Sequence, residues 1–383
     1  MIKEFFQNRV AFNRNELSGS FGDIGTDFPL IVGMILASQL DVTSIFVMFG
    51  LMQIITGVVY GLPMPMQPLK AMAVLVITKN IEASILFGGG LAIGVVMLVL
   101  SLSGALTWLA KKIPACVVRG IQFGLGLSLA SLALKKYIPS MGVNGYALAL
   151  AGFIIMVLLL GNRRQPPGVF VIGLGLLYAV FFRVDFGALA AGVGFQLPSF
   201  AVPSMADILT GFVVLSLPQL PLSLSNSVIA TNKTVGDLFP DKKISVKKIG
   251  VTYALINLIL PFFGGLPVCH GCGGLAGHYA LGARTGGSVI IYGMIFVVIG
   301  MFFSQSFTQV IELFPQPILG VVLLFEALTL MLFLRDQTGS KRDTAIALIV
   351  ALLAMGLPQG YVVGLTVGTI LYYGHKKFFA ESS

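Results

Sequence analysis

The sequence predicts an all-α polytopic membrane protein of about fourteen segments, built as two inverted repeats of seven with one interrupted half-helix in each. Three observations predict it. Of 383 residues, 56% are hydrophobic and only 10% are charged, too little charge to coat a soluble protein, where about 25% is usual. Apolar stretches follow one another almost without spacers, at 17–38, 42–60, 67–79, 83–108, 115–135, 145–161, 167–182, 207–232, 249–264, 271–283, 286–306, 315–334, 343–357 and 360–375. Two of these are short, and each follows a run that cannot be helical. The composition excludes a soluble enzyme, a disordered chain and a nucleic-acid-binding domain.

The short stretches are 67–79 and 271–283. Leu62-Pro63-Met64-Pro65-Met66-Gln67-Pro68 precedes the first and Gly264-Gly265-Leu266-Pro267-Val268 the second. Proline and glycine there strip the backbone of intrahelical partners, which is tolerated at membrane depth only under protein or beside a watery cavity. Residues Leu17 to Leu30 align with Leu209 to Leu222 at an offset of 192, and Gly61-Leu62-Pro63 with Gly265-Leu266-Pro267 at 204. Segments 1 and 3 thus match segments 8 and 10. Seven segments per copy is odd, so the second copy is inverted. Interrupted helices in corresponding places of an inverted repeat point to a secondary transporter with its site at the midplane.

The expected organisation is an N-terminal segment 1–16, a first repeat 17–183, a connecting loop 184–206, a second repeat 207–375 and a tail 376–383. With both termini in the cytoplasm, Lys79, Lys135, Lys136 and Arg183 fall outside. Lys70 and Arg119 lie within segments, and the rest of the 24 Lys+Arg fall inside. That asymmetry makes most of the net charge of +9 an orientation signal. Residues 1–16 lack an apolar core followed by a cleavage site, so no removable signal is expected. The cell (plasma or inner) membrane is the expected location.

Half-helices starting after Gln67-Pro68 and after His270-Gly271 would aim free N–H groups and positive dipole ends at a shared point, which suits an anion. Pro68 suits the first turn. Gly271, Gly273 and Gly274 would let a ligand approach the backbone, though they would equally allow tight helix packing. Lys70 would sit in the first turn of its half-helix, where a cation is unfavourable unless an anion binds beside it. Asp23 and Asp27 are four apart with Thr26 between, so one helix face should carry them. They could bind Na⁺ or carry a proton, and Asp23 could instead only satisfy local backbone. Gln219, Ser223, Ser225 and Asn226 form the matching uncharged face of segment 8. Arg119 and Glu326 lie in corresponding segments, and either could be a site residue or part of a structural ion pair; Gln53 and Gln122 are equally open.

Other motifs carry less. Cys269-His270-Gly271-Cys272 has the CxxC spacing but no second ligand pair, so neither a metal nor redox chemistry is expected. There is no P-loop, and no cofactor is implied.

Four stretches are specific enough to carry a resemblance. They are Glu16 through Thr26, Gly61 through Lys70, Gln219 through Ala230, and Pro267 through Tyr279 with Cys269-His270-Gly271-Cys272-Gly273-Gly274 inside it. Through these the chain resembles, over nearly its whole length, the molybdate transporter family of plants, algae and prokaryotes, related to the sulfate permeases. The resemblance implies a sulfate- or nucleobase-permease fold divided into core and gate. It also implies uptake of molybdate with sulfate as a substrate or competitor, and a homodimer. It carries Gln67, Lys70, Gln219, Asn226 and His270 over as site residues. Two positions depart from the family pattern: Asp27, where an aromatic or apolar residue is expected, and Cys272, where alanine is. The chain also stops soon after segment 14, without the cytoplasmic C-terminal domain common in sulfate permeases.

The expected function is import of a tetrahedral oxyanion by alternating access with H⁺ or Na⁺ coupling, and no enzymatic activity. The rivals are a same-fold permease for bicarbonate, a carboxylate or a nucleobase, and an anion channel. A nucleobase site would want a carboxylate on segment 8, where Gln219 stands and no acid lies within 208–232.

Overall fold

A computed structural model describes residues 9–160, 167–182, 187 and 192–379. The chain before residue 9, Arg163-Arg164, Arg183, most of 184–191 and the last four residues lie outside the described residues. Fourteen helices correspond to the fourteen apolar stretches. They are α1 (Ile24–Ser38), α2 (Val42–Tyr60), α3 (Lys70–Lys79), α4 (Ala83–Leu102), α5 (Ala115–Leu132), α6 (Gly142–Leu158) and α7 (Pro167–Phe182). Then come α8 (Met205–Leu238), α9 (Val246–Ile259), α10 (Cys272–Ala280), α11 (Gly287–Phe302), α12 (Gln316–Leu332), α13 (Lys341–Gly356) and α14 (Gly360–Phe379).

Among the described residues six helices are long and apolar enough to cross a bilayer, seven if a bent pair counts as one span. Several stretches that looked continuous are broken in the structure. Stretch 17–38 holds a separate helix Arg14–Gly19 and a turn before α1. Stretch 83–108 ends at Leu102, because Gly104 adopts a left-handed φ of +74° and a new helix, Ala105–Lys112, follows. Stretch 286–306 ends at Phe302, and Ser304–Leu313 leaves at 99°. The final helix runs past 375 to Phe379. Within α8, the Pro218 and Pro221 segment is flanked by wide π turns, Phe212–Ser216 and Ser223–Ala230. Each proline removes an N–H from the ladder and crowds the preceding turn.

The helices sort into two bundles by packing. In the first, α2 packs along α11, α4 against α8 and α9, and α1 against α3. In the second, α5 packs against α12 and α13, α13 against α14, and α6 and α7 against α12. The α2–α11 seam is close because Gly50 and Gly293 face each other, where a Cβ on either would strike the other's carbonyl oxygen. Such small-residue contacts replace the hydrophobic drive that lipid does not supply. The bundles meet where α1 touches α7 and α12, and α3 touches α5. Residues 192–204 lie across the ends of α9 and α11, with Gly194 and Gln196 donating to Phe302 and Met301 and Ala201 to Phe262.

The fold is not purely helical. The residues before the half-helices form two short strands, β1 (Met66–Pro68) and β2 (Val268–His270), paired antiparallel with Gln67 opposite Cys269. Pro68 therefore belongs to β1, and α3 begins two residues later. The inverted repeat is visible in how the strands are held. Gln53 on α2 donates to Met66 O at 2.7 Å and accepts from Met66 N at 3.0 Å. Asn257 on α9, 204 positions later, does the same for Val268, at 2.7 and 2.9 Å. Gly61 and Gly264 end the two supporting helical stretches with φ of +62° and +65°. Gln53 is thus a strand clamp. Gln53→Leu would orphan a buried N–H and a buried C=O, so a loss of about 2–4 kcal/mol is expected. Thermal unfolding in detergent should show a clearly lowered midpoint.

Candidate substrate site

The strand pair places the first residues of α3 and α10 on opposite sides of one point. At α3, Leu69 precedes the first helical residue, Lys70, and makes no side-chain cap. The cap comes from α8 instead. Gln219 Oε1 accepts from Ala71 N at 2.8 Å and Met72 N at 3.4 Å, while its Nε2 donates to Ser223 Oγ at 3.1 Å. Ser223 is itself 2.8 Å from Tyr253 Oη. Gln219 and Ser223, expected as free donors, are therefore committed to completing α3. Gln219 still borders the cavity, whereas Ser223 is fully buried behind it.

At α10, Gly271 is the cap residue, followed by Cys272, Gly273 and Gly274. Gln67 Nε2 lies 2.7 Å from both Asp23 oxygens. This holds the Asp23 carboxylate so close to Gly274 that a Cβ there would overlap it. A carboxylate at that place is favoured by the helix dipole.

Between these termini lies a cavity of about 270 Å³. That is below the roughly 300–1,000 Å³ of pockets for drug-sized ligands, and suits a small ion with some water. Its wall brings together Asp23, Thr26, Gln67, Lys70, Gln219, Asn226, His270, Gly271, Cys272, Gly273 and Glu326. It adds Gly22, Leu222, Ser227, Cys269, Thr329, Leu330 and Phe333, which sequence reasoning missed. Thr329 and Phe333 stand three and seven residues beyond Glu326, a helical face that spacing alone could have extended.

Four expectations about the site need correcting. Asp27 is off the cavity, with no exposed surface, and accepts from Tyr292 Oη of α11 at 3.4 Å. Asp23 stands at the N-cap of α1 and lines the cavity, whereas Asp27, one turn further along, faces α11. The His270 imidazole turns away, with Nε2 2.8 Å from Thr252 Oγ1 and 3.4 Å from Tyr60 Oη. Gly274 lies beneath Asp23 rather than on the cavity wall. Lys70 needs no bound anion for neutralisation, because its Nζ lies 2.5 Å from Glu326 Oε1. Arg119 and Glu326 are each part of an ion pair, Glu326 with Lys70 and Arg119 with Asp336. Arg119 binds Asp336 at 2.6 Å and Gln122 at 2.9 Å, with its guanidinium over Phe333. It lines a smaller adjoining cavity of about 200 Å³ that shares Asn226.

Residues 15–129 and 211–330 match the family model described as a molybdate transporter of the MFS superfamily. Molybdate transporter 2 of Arabidopsis thaliana is 33% identical, over 94% of this chain and 86% of its own length. The chain belongs to the molybdate transporter family. Molybdate transporter 1 of the same plant is 32% identical over 96% of this chain and 88% of its own. The family is one of transporters, not enzymes, and this member is a multi-pass membrane protein.

The fold is similar to the transmembrane domain of the cyanobacterial bicarbonate transporter BicA, with a TM-score of 0.64 at 17% identity, covering 95% of this chain and 98% of that one. The anion transporter SLC26A9 gives 0.69 at 12% identity, covering 95% and 66%. Both have the seven-plus-seven inverted repeat seen in this family member. That is not the arrangement of two six-helix halves which the superfamily word in the family's description denotes.

Proposed function

We propose that the chain imports a tetrahedral oxyanion, molybdate with sulfate as competitor, by alternating access, and that H⁺ or Na⁺ moves with it. The observation that carries this reading is Lys70 at the start of α3, facing the start of α10 across a small cavity. The family relatives' names supply molybdate, and the site chemistry supplies a compact oxyanion. The anion would sit between Lys70 and the N-terminal backbone of α10, with Thr26 and Asn226 as neutral donors around it.

Coupling follows from charge. The cavity wall carries two carboxylates, Asp23 and Glu326, against one lysine. A dianion entering unaccompanied would meet repulsion of about 3 kcal/mol per charge pair at about 5 Å and an effective dielectric near 20. A proton or Na⁺ at a carboxylate removes that penalty. Asp23 is the carboxylate we assign to this role, because it lines the cavity and Asp27 does not. Asp23→Asn should make uptake into proteoliposomes insensitive to the coupling gradient, while Asp27→Asn should leave the dependence in place. The opposite pattern would move the coupling site to Asp27.

The cavity reaches Phe333, two residues before Arg335, in the connection that the Lys and Arg distribution assigns to the inside. We infer an inward-open state with both termini in the cytoplasm of a plasma or inner membrane. Alternation would come from movement of the first bundle against the second. Calorimetry on the purified protein with molybdate, sulfate, bicarbonate and uracil tests the substrate. Micromolar molybdate binding with weaker sulfate supports it. Binding of bicarbonate or uracil alone overturns it.

A further inference from the structure

We propose that Glu326 is the protein's own stand-in for the transported anion. It occupies Lys70 when the site is empty, and the substrate must displace it. The inference rests on the oxyanion reading above and concerns the same site.

The Lys70–Glu326 pair crosses between bundles. Lys70 is the first residue of α3, in the first bundle, while Glu326 lies on α12, which packs on α5 and α6 of the second. Their contact of 2.5 Å runs along the wall of the central cavity, and neither side chain is sealed away, with 27% and 11% of the surface exposed. A structural ion pair within one bundle would have no reason to face the transport cavity. Arg119, the cation of the adjoining cavity, is held by Asp336 and Gln122. Glu326 therefore has its strong partner in Lys70, the same ammonium the substrate requires.

A carboxylate and a tetrahedral oxyanion present the same thing to an ammonium group: negatively charged oxygens that accept short hydrogen bonds. Both cannot stay close to Lys70 without repelling each other in a low-dielectric site. Binding of the anion therefore pushes Glu326 off, and that breaks a direct polar tie between the two bundles. Release of the anion lets Glu326 return and restore it. The substrate is thereby linked to freedom of bundle movement, and affinity is held down by an internal competitor.

The test is Glu326→Gln, which removes the charge and keeps the shape. Molybdate titrated calorimetrically into purified wild type and variant should bind the variant about tenfold tighter or more, the scale of one charged hydrogen bond given up by the competitor. The rise in unfolding midpoint on adding molybdate should grow accordingly. Unchanged affinity would show that Lys70 is not sequestered. Weaker binding would show that Glu326 serves only to hold Lys70 charged and in place. Either result overturns the proposal. If Glu326→Gln does not fold, Glu326→Asp draws the carboxylate back and should still tighten binding, by a smaller factor. Equal or weaker binding there overturns it too. Wild type that binds no oxyanion removes the substrate reading itself. Wild type that binds, with no gain in either variant, removes only the role of Glu326.

Discussion

Lys70→Ala should abolish oxyanion binding, with affinity falling about a hundredfold or more in calorimetric titration. Lys70 is the one cation on the cavity wall among the described residues. A charged hydrogen bond contributes roughly 1.5–3 kcal/mol net, and removing one partner of a buried charged contact costs 2–5 kcal/mol. The substitution has a side effect, because it leaves Glu326 without its ammonium partner at 2.5 Å. Some loss of stability is then expected for a reason unrelated to substrate. The double variant Lys70→Ala with Glu326→Gln separates the two, since no charge is left unpaired. It should recover thermal stability and still fail to bind. If the double variant binds like wild type, the site lies elsewhere and Lys70 is only half of an ion pair.

The broad architecture was legible because it rests on local signals. Apolar length marked the fourteen helices, and proline-glycine breaks marked the half-helices. The match at an offset of 204 marked the repeat, and Gln53 with Asn257 shows the same offset in the structure. Long-range partnership was not legible. That Gln219 would cap α3 depends on where α8 crosses, 148 residues from Ala71. That Glu326 and not an external anion would meet Lys70 depends on how two bundles face each other. Which of Asp23 and Asp27 reaches the cavity was not legible either, because it depends on α11 standing against Asp27 through Tyr292. The pairing of the breaks as strands was hidden because three residues are too few to show a period.

Gly271→Ala should abolish transport while lowering the unfolding midpoint only modestly. The backbone at Gly271 has φ of −102° and ψ of 116°, which any residue can adopt, so no conformational strain is involved. The constraint is space, because a Cβ built there falls on the Gln67 carboxamide. That group cannot simply swing aside. It belongs to β1, which is paired with β2, and it is bonded to both oxygens of Asp23. Making room means giving up the Gln67–Asp23 contact or parting the strands, an overpacking cost of about 1–3 kcal/mol. The Asp23 carboxylate would then be free to move at the mouth of α10, where we place the substrate. Gly273→Ala is the control, since a Cβ there meets nothing within 4 Å. It should fold as well as wild type and change affinity only through the space its methyl takes from the cavity. Proteoliposome uptake and thermal unfolding on both variants distinguish the cases. Full uptake by Gly271→Ala would mean that the Gln67–Asp23 contact is dispensable. Equal loss in both variants would mean that any bulk at the α10 N-terminus blocks the anion, which places the substrate on that backbone directly.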